Sequence, residues 1–132
     1  TAACGLVRPA AGGFAVRLSA GGHPPPLVLR AGGTVESVDV PGRMLGVGPG
    51  ASPGTAEIVL GRGDLLLLYT DGVLDARAGR STFGEDRLRD ALAATSREPA
   101  AEVVRRIDDA VRAFAPGRVR DDKALMALRV PA

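Results

Sequence analysis

The spacing of apolar residues along the chain changes character once, near residue 80. Upstream, short apolar stretches alternate with glycine and proline. Phe14, Val16 and Leu18 interleave with Ala15, Arg17 and Ser19, the period of two expected of a strand with one apolar face. With Ala3 to Arg8 this predicts a hairpin across Pro9-Ala10-Ala11-Gly12-Gly13. Pro24-Pro25-Pro26 stops the ladder, because proline has no N–H to donate. Leu27 to Arg30 and Thr34 to Val38 then read as strands paired around Ala31-Gly32-Gly33. Residues 39–54 read as a loop rich in Gly and Pro, of a length that usually serves a purpose, with Met44, Leu45 and Val47 pinning it to the core. Thr55 to Leu60 and Leu65 to Tyr69 read as the next hairpin, across Gly61-Arg62-Gly63-Asp64. Its second arm is continuously apolar, the mark of a strand covered on both faces.

Beyond residue 80 the period becomes helical. Thr82-Phe83-Gly84-Glu85 has the spacing of a capping box, and Leu88 and Leu92 follow one turn apart. Pro99 suits the first turn of a second helix. There Val103 or Val104, Ile107, Val111 and Phe114 form one stripe, and Arg105, Arg106, Asp109 and Arg112 the opposite face. Pro116-Gly117 ends it, and Leu125 to Val130 is a last strand. Strands, then two helices, then a strand predict an α+β architecture with helices layered on an antiparallel sheet.

Composition narrows the class without changing that picture. The 132 residues suffice for one domain, and 45% hydrophobic residues with a mean hydropathy of +0.11 indicate a packed core. Aromatics are only 3%, so the core falls to Ala, Val and Leu. No apolar run approaches the ~20 residues of a membrane span, and no signal peptide is visible. The single Cys4 forms no internal disulfide, which suits a cytoplasmic setting, and its apolar neighbours suggest a buried thiol. Net charge is +2, with arginines interleaved among acids and the aromatics dispersed, which argues against a nucleic-acid surface. There is no nucleophile elbow around any serine and no Walker loop.

The chemistry concentrates at two strand ends. Leu65 to Tyr69 runs straight into Thr70-Asp71-Gly72, so a carboxylate emerges where a core strand stops. Taken alone this is also an ordinary turn. Asp121-Asp122, however, precede the last strand. If the two strands are adjacent and antiparallel, both acidic sites fall on one sheet end and form the oxygen-only cluster that hard divalent cations prefer. His23, the only histidine, is either a proton donor or a loop residue whose ring bonds the backbone. Arg118 and Arg120 either pair with a phosphate or screen the aspartates. Asp64 and Asp75 read as turn residues, and Asp122 as an acceptor that orients the metal end.

Tyr69-Thr70-Asp71-Gly72-Val73, Asp121-Asp122 and Ala20-Gly21-Gly22-His23-Pro24-Pro25-Pro26 resemble motifs of the metal-dependent, 2C-type (PPM-type) Ser/Thr protein phosphatases. The similarity is greatest to the bacterial branch of the stage II sporulation protein E phosphatase (SpoIIE-like) and the regulators of stress sigma factors. Gly46-Val47-Gly48 and Phe83-Gly84-Glu85-Asp86-Arg87-Leu88 match as well, so the resemblance runs over nearly the whole chain. It implies an antiparallel β-sandwich with flanking helices, the α-β-β-α phosphatase fold. It also implies hydrolysis of a phosphorylated protein, often an anti-sigma-factor antagonist, with two Mn2+ or Mg2+ ions. Asp71 and Asp121 are the metal ligands so implied, with Gly72 and Asp122 in support. An upstream sensor domain often accompanies such phosphatases.

Two departures qualify the match. The family's Gly-Gly-Asp metal motif has no counterpart, since Gly12-Gly13 is followed by Phe14. Residues 1–132 therefore read as the C-terminal portion of a single phosphatase domain, with little turnover and with exposed sheet edges when isolated. Lys123 stands where relatives carry an aliphatic residue, and is expected to point to solvent. The alternative is a non-catalytic phosphatase-like regulatory module that binds a protein partner.

Overall fold

The computed structural model of the chain describes residues 1–48, 53–116 and 122–132. In chain order its elements are β1 (Ala2–Ala10), β2 (Gly13–Gly21), β3 (Leu27–Leu29), β4 (Val35–Ser37), β5 (Gly54–Gly61) and β6 (Leu65–Tyr69). A one-turn helix α1 (Asp71–Leu74) and a small ribbon of β7 (Arg77–Ala78) and β8 (Ser81–Thr82) follow. Helices α2 (Gly84–Ala93) and α3 (Ala100–Phe114) and the strand β9 (Leu125–Arg129) complete it.

Two antiparallel sheets stack, one ordered β1-β2-β5 and the other β4-β3-β6-β9. The alternation read in β2 sends Val16 and Leu18 inward, where they meet Leu60 of β5 and Val28 and Leu66 of the second sheet. The other face of the second sheet carries Leu27, Leu29, Leu65, Leu67 and Tyr69 against Leu88 and Leu92 of α2 and Val103, Ile107 and Val111 of α3. β6 thus separates two apolar layers, which is why its sequence is apolar without alternation. The first hairpin is tighter than the sequence suggests. Its strands run on to Ala10 and from Gly13, and Gly12 turns the chain at φ 76°.

The structure corrects the hairpin expected between residues 55–60 and 65–69. β5 pairs with β2 in the first sheet and β6 with β3 and β9 in the second, so Gly61–Asp64 is a corner between layers. Asp64 is more than a turn residue. It is 7% exposed, and its carboxylate accepts the Ala31 N–H at 2.9 Å, the Gly61 N–H at 3.0 Å and Arg30 Nη1 at 2.9 Å. Its carbonyl accepts the Val130 N–H at 2.9 Å, and the neighbouring Gly63 N–H donates to the Val130 carbonyl at 3.0 Å. Burial pushes the Asp64 carboxyl up, but the Arg30 hydrogen bond and the two amides together hold it below the ordinary 3.8.

A carboxylate with a depressed folded pKa contributes stability that is complete above 3.8 and is lost as pH falls through the lowered value. Asp64→Asn is therefore expected to cost about 1–2 kcal/mol at neutral pH. The gap to the wild type should narrow below pH ~4. Thermal melts of both proteins across that range check the sign; a gap that widens in acid contradicts it.

Three other expectations are corrected. The capping box does not form. Thr82 is paired with Arg77 in the ribbon, Gly84 takes φ 75°, and no side chain caps the start of α2. Arg87 instead reaches back to the carbonyls of Thr82 and Phe83, both at 3.0 Å, and lies over the Phe114 ring at 4.7 Å. Cys4 is exposed, because β1 is an outer strand with little packed on it. Met44, Leu45 and Val47 are 50%, 47% and 73% exposed, so they do not pin the long loop to the core. On β9, an outer strand of the second sheet, Met126 and Leu128 are exposed.

Candidate functional site

The question left open by the sequence was whether the strand ending at Tyr69 and the strand starting at Leu125 are neighbours. They are: β6 and β9 pair antiparallel, from Leu65 opposite Arg129 to Tyr69 opposite Leu125. The exit of β6 and the approach to β9 therefore lie at one end of the sheet.

Thr70 fastens them together. Its hydroxyl donates to the Asp122 carbonyl at 2.9 Å and accepts from the Ala124 N–H at 2.9 Å. The Thr70 N–H donates to the Ala124 carbonyl at 3.1 Å. A threonine suits the position, being a strand former whose hydroxyl both donates and accepts. The turn reading of Thr70-Asp71-Gly72 had not singled it out.

Asp71 opens α1 and is exposed, with Oδ1 accepting the Gly72 N–H at 3.1 Å. Gly72 itself is buried and contributes backbone rather than an opening to solvent. Asp122 is exposed and is held through its carbonyl by Thr70. Asp121, with Arg118 and Arg120, lies outside the described residues. Asp75 ends α1, its N–H donating to the Asp71 carbonyl. Tyr69, next to the site, keeps its hydroxyl protonated near neutral pH. Burial, with help from the Glu85 charge and against that of Arg89, pushes its hydroxyl up to about 12.

The Gly22-His23-Pro24-Pro25-Pro26 connection reaches the same end. β3 runs antiparallel to β6 with Leu27 opposite Leu67, so the residues before Leu27 lie where β6 leaves the sheet. Pro26 accepts the Val38 N–H at 2.8 Å. The His23 Nδ1 is buried with no hydrogen-bond partner among the described residues, so this nitrogen does not fix the loop in the way the structural reading supposed.

Lys123 is the clearest departure from expectation. Its side chain is 14% exposed, and its ammonium pairs with the carboxylate of Asp108 on α3 rather than with water. Asp108 also binds Arg112 at 2.7 Å. The Lys123 hydrogen bond, opposed by burial and helped by the Arg112 charge, holds the Asp108 carboxyl low. Sequence reasoning missed Asp108, because it looked like one more solvated acid on a helix.

The donors gathered here suit a hard divalent cation in kind, being carboxylate and carbonyl oxygens without sulfur. Among the described residues no three His, Cys, Asp or Glu side chains are grouped so as to hold a metal ion. No described helix is long and apolar enough to cross a membrane.

The family model for stage II sporulation protein E (SpoIIE) matches residues 1–131. No curated protein matches in sequence. Among solved structures, the chain is similar to the phosphatase domain of the cell-fate determinant SpoIIE from Bacillus subtilis, presoaked with manganese. The TM-score is 0.75 and the identity 16%, covering 98% of this chain and 56% of that one. The SiaA PP2C domain of Pseudomonas aeruginosa superposes with a TM-score of 0.74 at 22% identity, over 87% of this chain and 46% of that one. The RsbU and RsbW domains of a Mycobacterium tuberculosis protein give 0.67 at 28% identity, over 89% of this chain and 33% of that one. The chain thus spans about half the length of the SpoIIE domain, and the antiparallel sandwich with helices is the PP2C phosphatase fold.

Proposed function

The chain belongs to the stage II sporulation protein E (SpoIIE) family of PP2C-type phosphatase domains, and on that footing we propose that it is the C-terminal portion of one such domain, hydrolysing phosphoserine or phosphothreonine in a protein. The observation that carries the reading is the Thr70 clamp, which joins the Asp71 strand end to the Asp122 segment.

Asp71 and Asp121 are the residues we assign to cation binding, with Gly72 and Asp122 in support. When bound, manganese or magnesium would lower the pKa of a coordinated water and stabilise charge developing on the phosphoryl oxygens. The chain's own contribution is placement. β6 is anchored on both faces, so the carboxylate at its exit is presented from a rigid base. The Thr70 bonds set the distance from that exit to the backbone entering β9. The exposed Asp71 side chain meets ligands without a desolvation cost to the apo fold.

Manganese presoaking of the similar SpoIIE crystal supports the choice of ion. The similarity to a protein with both RsbU and RsbW domains supports a sigma-factor-regulating pathway, with a phosphorylated anti-sigma-factor antagonist as substrate and a cytoplasmic setting. The donors that complete the site, and any sensor domain, would come from sequence beyond these residues. The charge of Lys123 is engaged by Asp108 and so does not argue for the non-catalytic alternative.

The test is direct. The full-length protein that carries this chain is expected to release phosphate from a phosphoserine peptide in manganese. Chelation with EDTA should reduce the rate to background, and added manganese should restore it. Calorimetry that detects no manganese binding to the full-length protein would favour the binding module instead.

A further inference from the structure

A lysine ammonium beside a pair of aspartates opposes the binding of a cation, and this chain carries its only lysine immediately after such a pair. The structure shows what becomes of that charge. The Lys123 ammonium pairs with Asp108 on α3, and the side chain is largely buried there. Asp108 is anchored from the other side by Arg112, one helical turn on. The backbone on either side of Lys123 is meanwhile fixed to Thr70 through Asp122 and Ala124. α3 is itself seated in the core by Val103, Ile107 and Val111. An ion pair removed this far from water adds little net stability over an apolar pair of similar size, so stability is a weak reason for it to be there.

We infer that Asp108 is a charge-compensating residue for the cation site: it holds and neutralises Lys123, so that the acidic end of the sheet keeps the negative potential a divalent ion needs. The inference rests on the metal-dependent reading proposed above. An aliphatic residue at position 123 would need no such partner. Asp108 touches neither substrate nor metal and acts only through Lys123.

The charge account and a merely structural account give opposite results when the lysine is also removed. Manganese titration calorimetry on the full-length wild type comes first, because absence of binding there refutes the phosphatase reading rather than this one. In Asp108→Asn the ammonium is released uncompensated, and manganese affinity is expected to fall about tenfold. In the double variant Asp108→Asn, Lys123→Met the charge is gone, and affinity is expected to return to within about threefold of wild type. Lys123→Met alone keeps the apolar stem and is expected to bind manganese at least as tightly as wild type. Unchanged affinity in Asp108→Asn overturns the inference, as does a double variant no better than the single. If Asp108→Asn does not fold, Lys123→Met decides alone, and weaker binding there overturns it.

Discussion

Asp71→Asn is expected to lower manganese-dependent phosphopeptide hydrolysis by the full-length protein about 100-fold or more, while the metal-free melting temperature stays within about 2 °C of wild type. The substitution is nearly isosteric. The amide oxygen still accepts the Gly72 N–H, so α1 keeps its first contact. The side chain is exposed and packs against nothing the fold depends on. What disappears is one negative charge and one anionic oxygen at the strand exit, the property a hard cation selects for. The rise in melting temperature that manganese gives the wild type should shrink in parallel, because ligand stabilisation follows affinity. Asp121→Asn is expected to behave alike. If both variants retain wild-type manganese binding in calorimetry, the metal assignment is wrong.

Leu67→Ala carries the largest expected cost to the fold. Leu67 is fully buried at the centre of β6, between Leu27 of β3 and Ala127 of β9 and beneath the helical layer. Removing three carbons there leaves a cavity walled by strand and helix, neither of which can collapse freely. The expected loss is about 3 kcal/mol, a large share of a typical domain's stability. In a domain of this size that lowers the melting temperature by about 10 °C. Denaturant titration of the full-length protein provides the check. A loss below about 1 kcal/mol would mean that the second layer relaxes around the void and is packed less tightly than the structure shows.

How much of this was legible beforehand depended on how local each cause was. The buried character of Leu65 to Tyr69, the stripe Val103, Ile107, Val111 and the hairpin at Gly12 follow from period and turn chemistry within a few residues. The partners of β5 do not. A glycine-rich corner between two apolar runs has the same composition whether the second run folds back beside the first or crosses to another sheet. The strength of Asp64 as a corner lock depends on Ala31 and Arg30, which no local reading brings near it. The capping box failed for a related reason. Thr82 had a better use opposite Arg77, and the left-handed Gly84 displaced it from the helix.

At the candidate site the motifs that carried the family resemblance also proved to share one end of the second sheet, as far as the described residues reach. Asp71 and the Asp122 segment were visible because each is tied to a strand terminus. Asp108 was not, because its significance depends on Lys123, a contact made through the third dimension alone.

The pairing of β6 with β9 also bears on when the candidate site can assemble during synthesis. Leu65 meets Arg129 and Tyr69 meets Leu125, so the ladder beneath the acidic end joins the middle of the sequence to its last strand. Such distant closures are slow steps in folding. A ribosome-bound chain can form its first sheet and both long helices while Thr70 still lacks its partners. The Asp71 end of β6 would therefore be joined to the Asp122 segment abruptly, after β9 has left the exit tunnel.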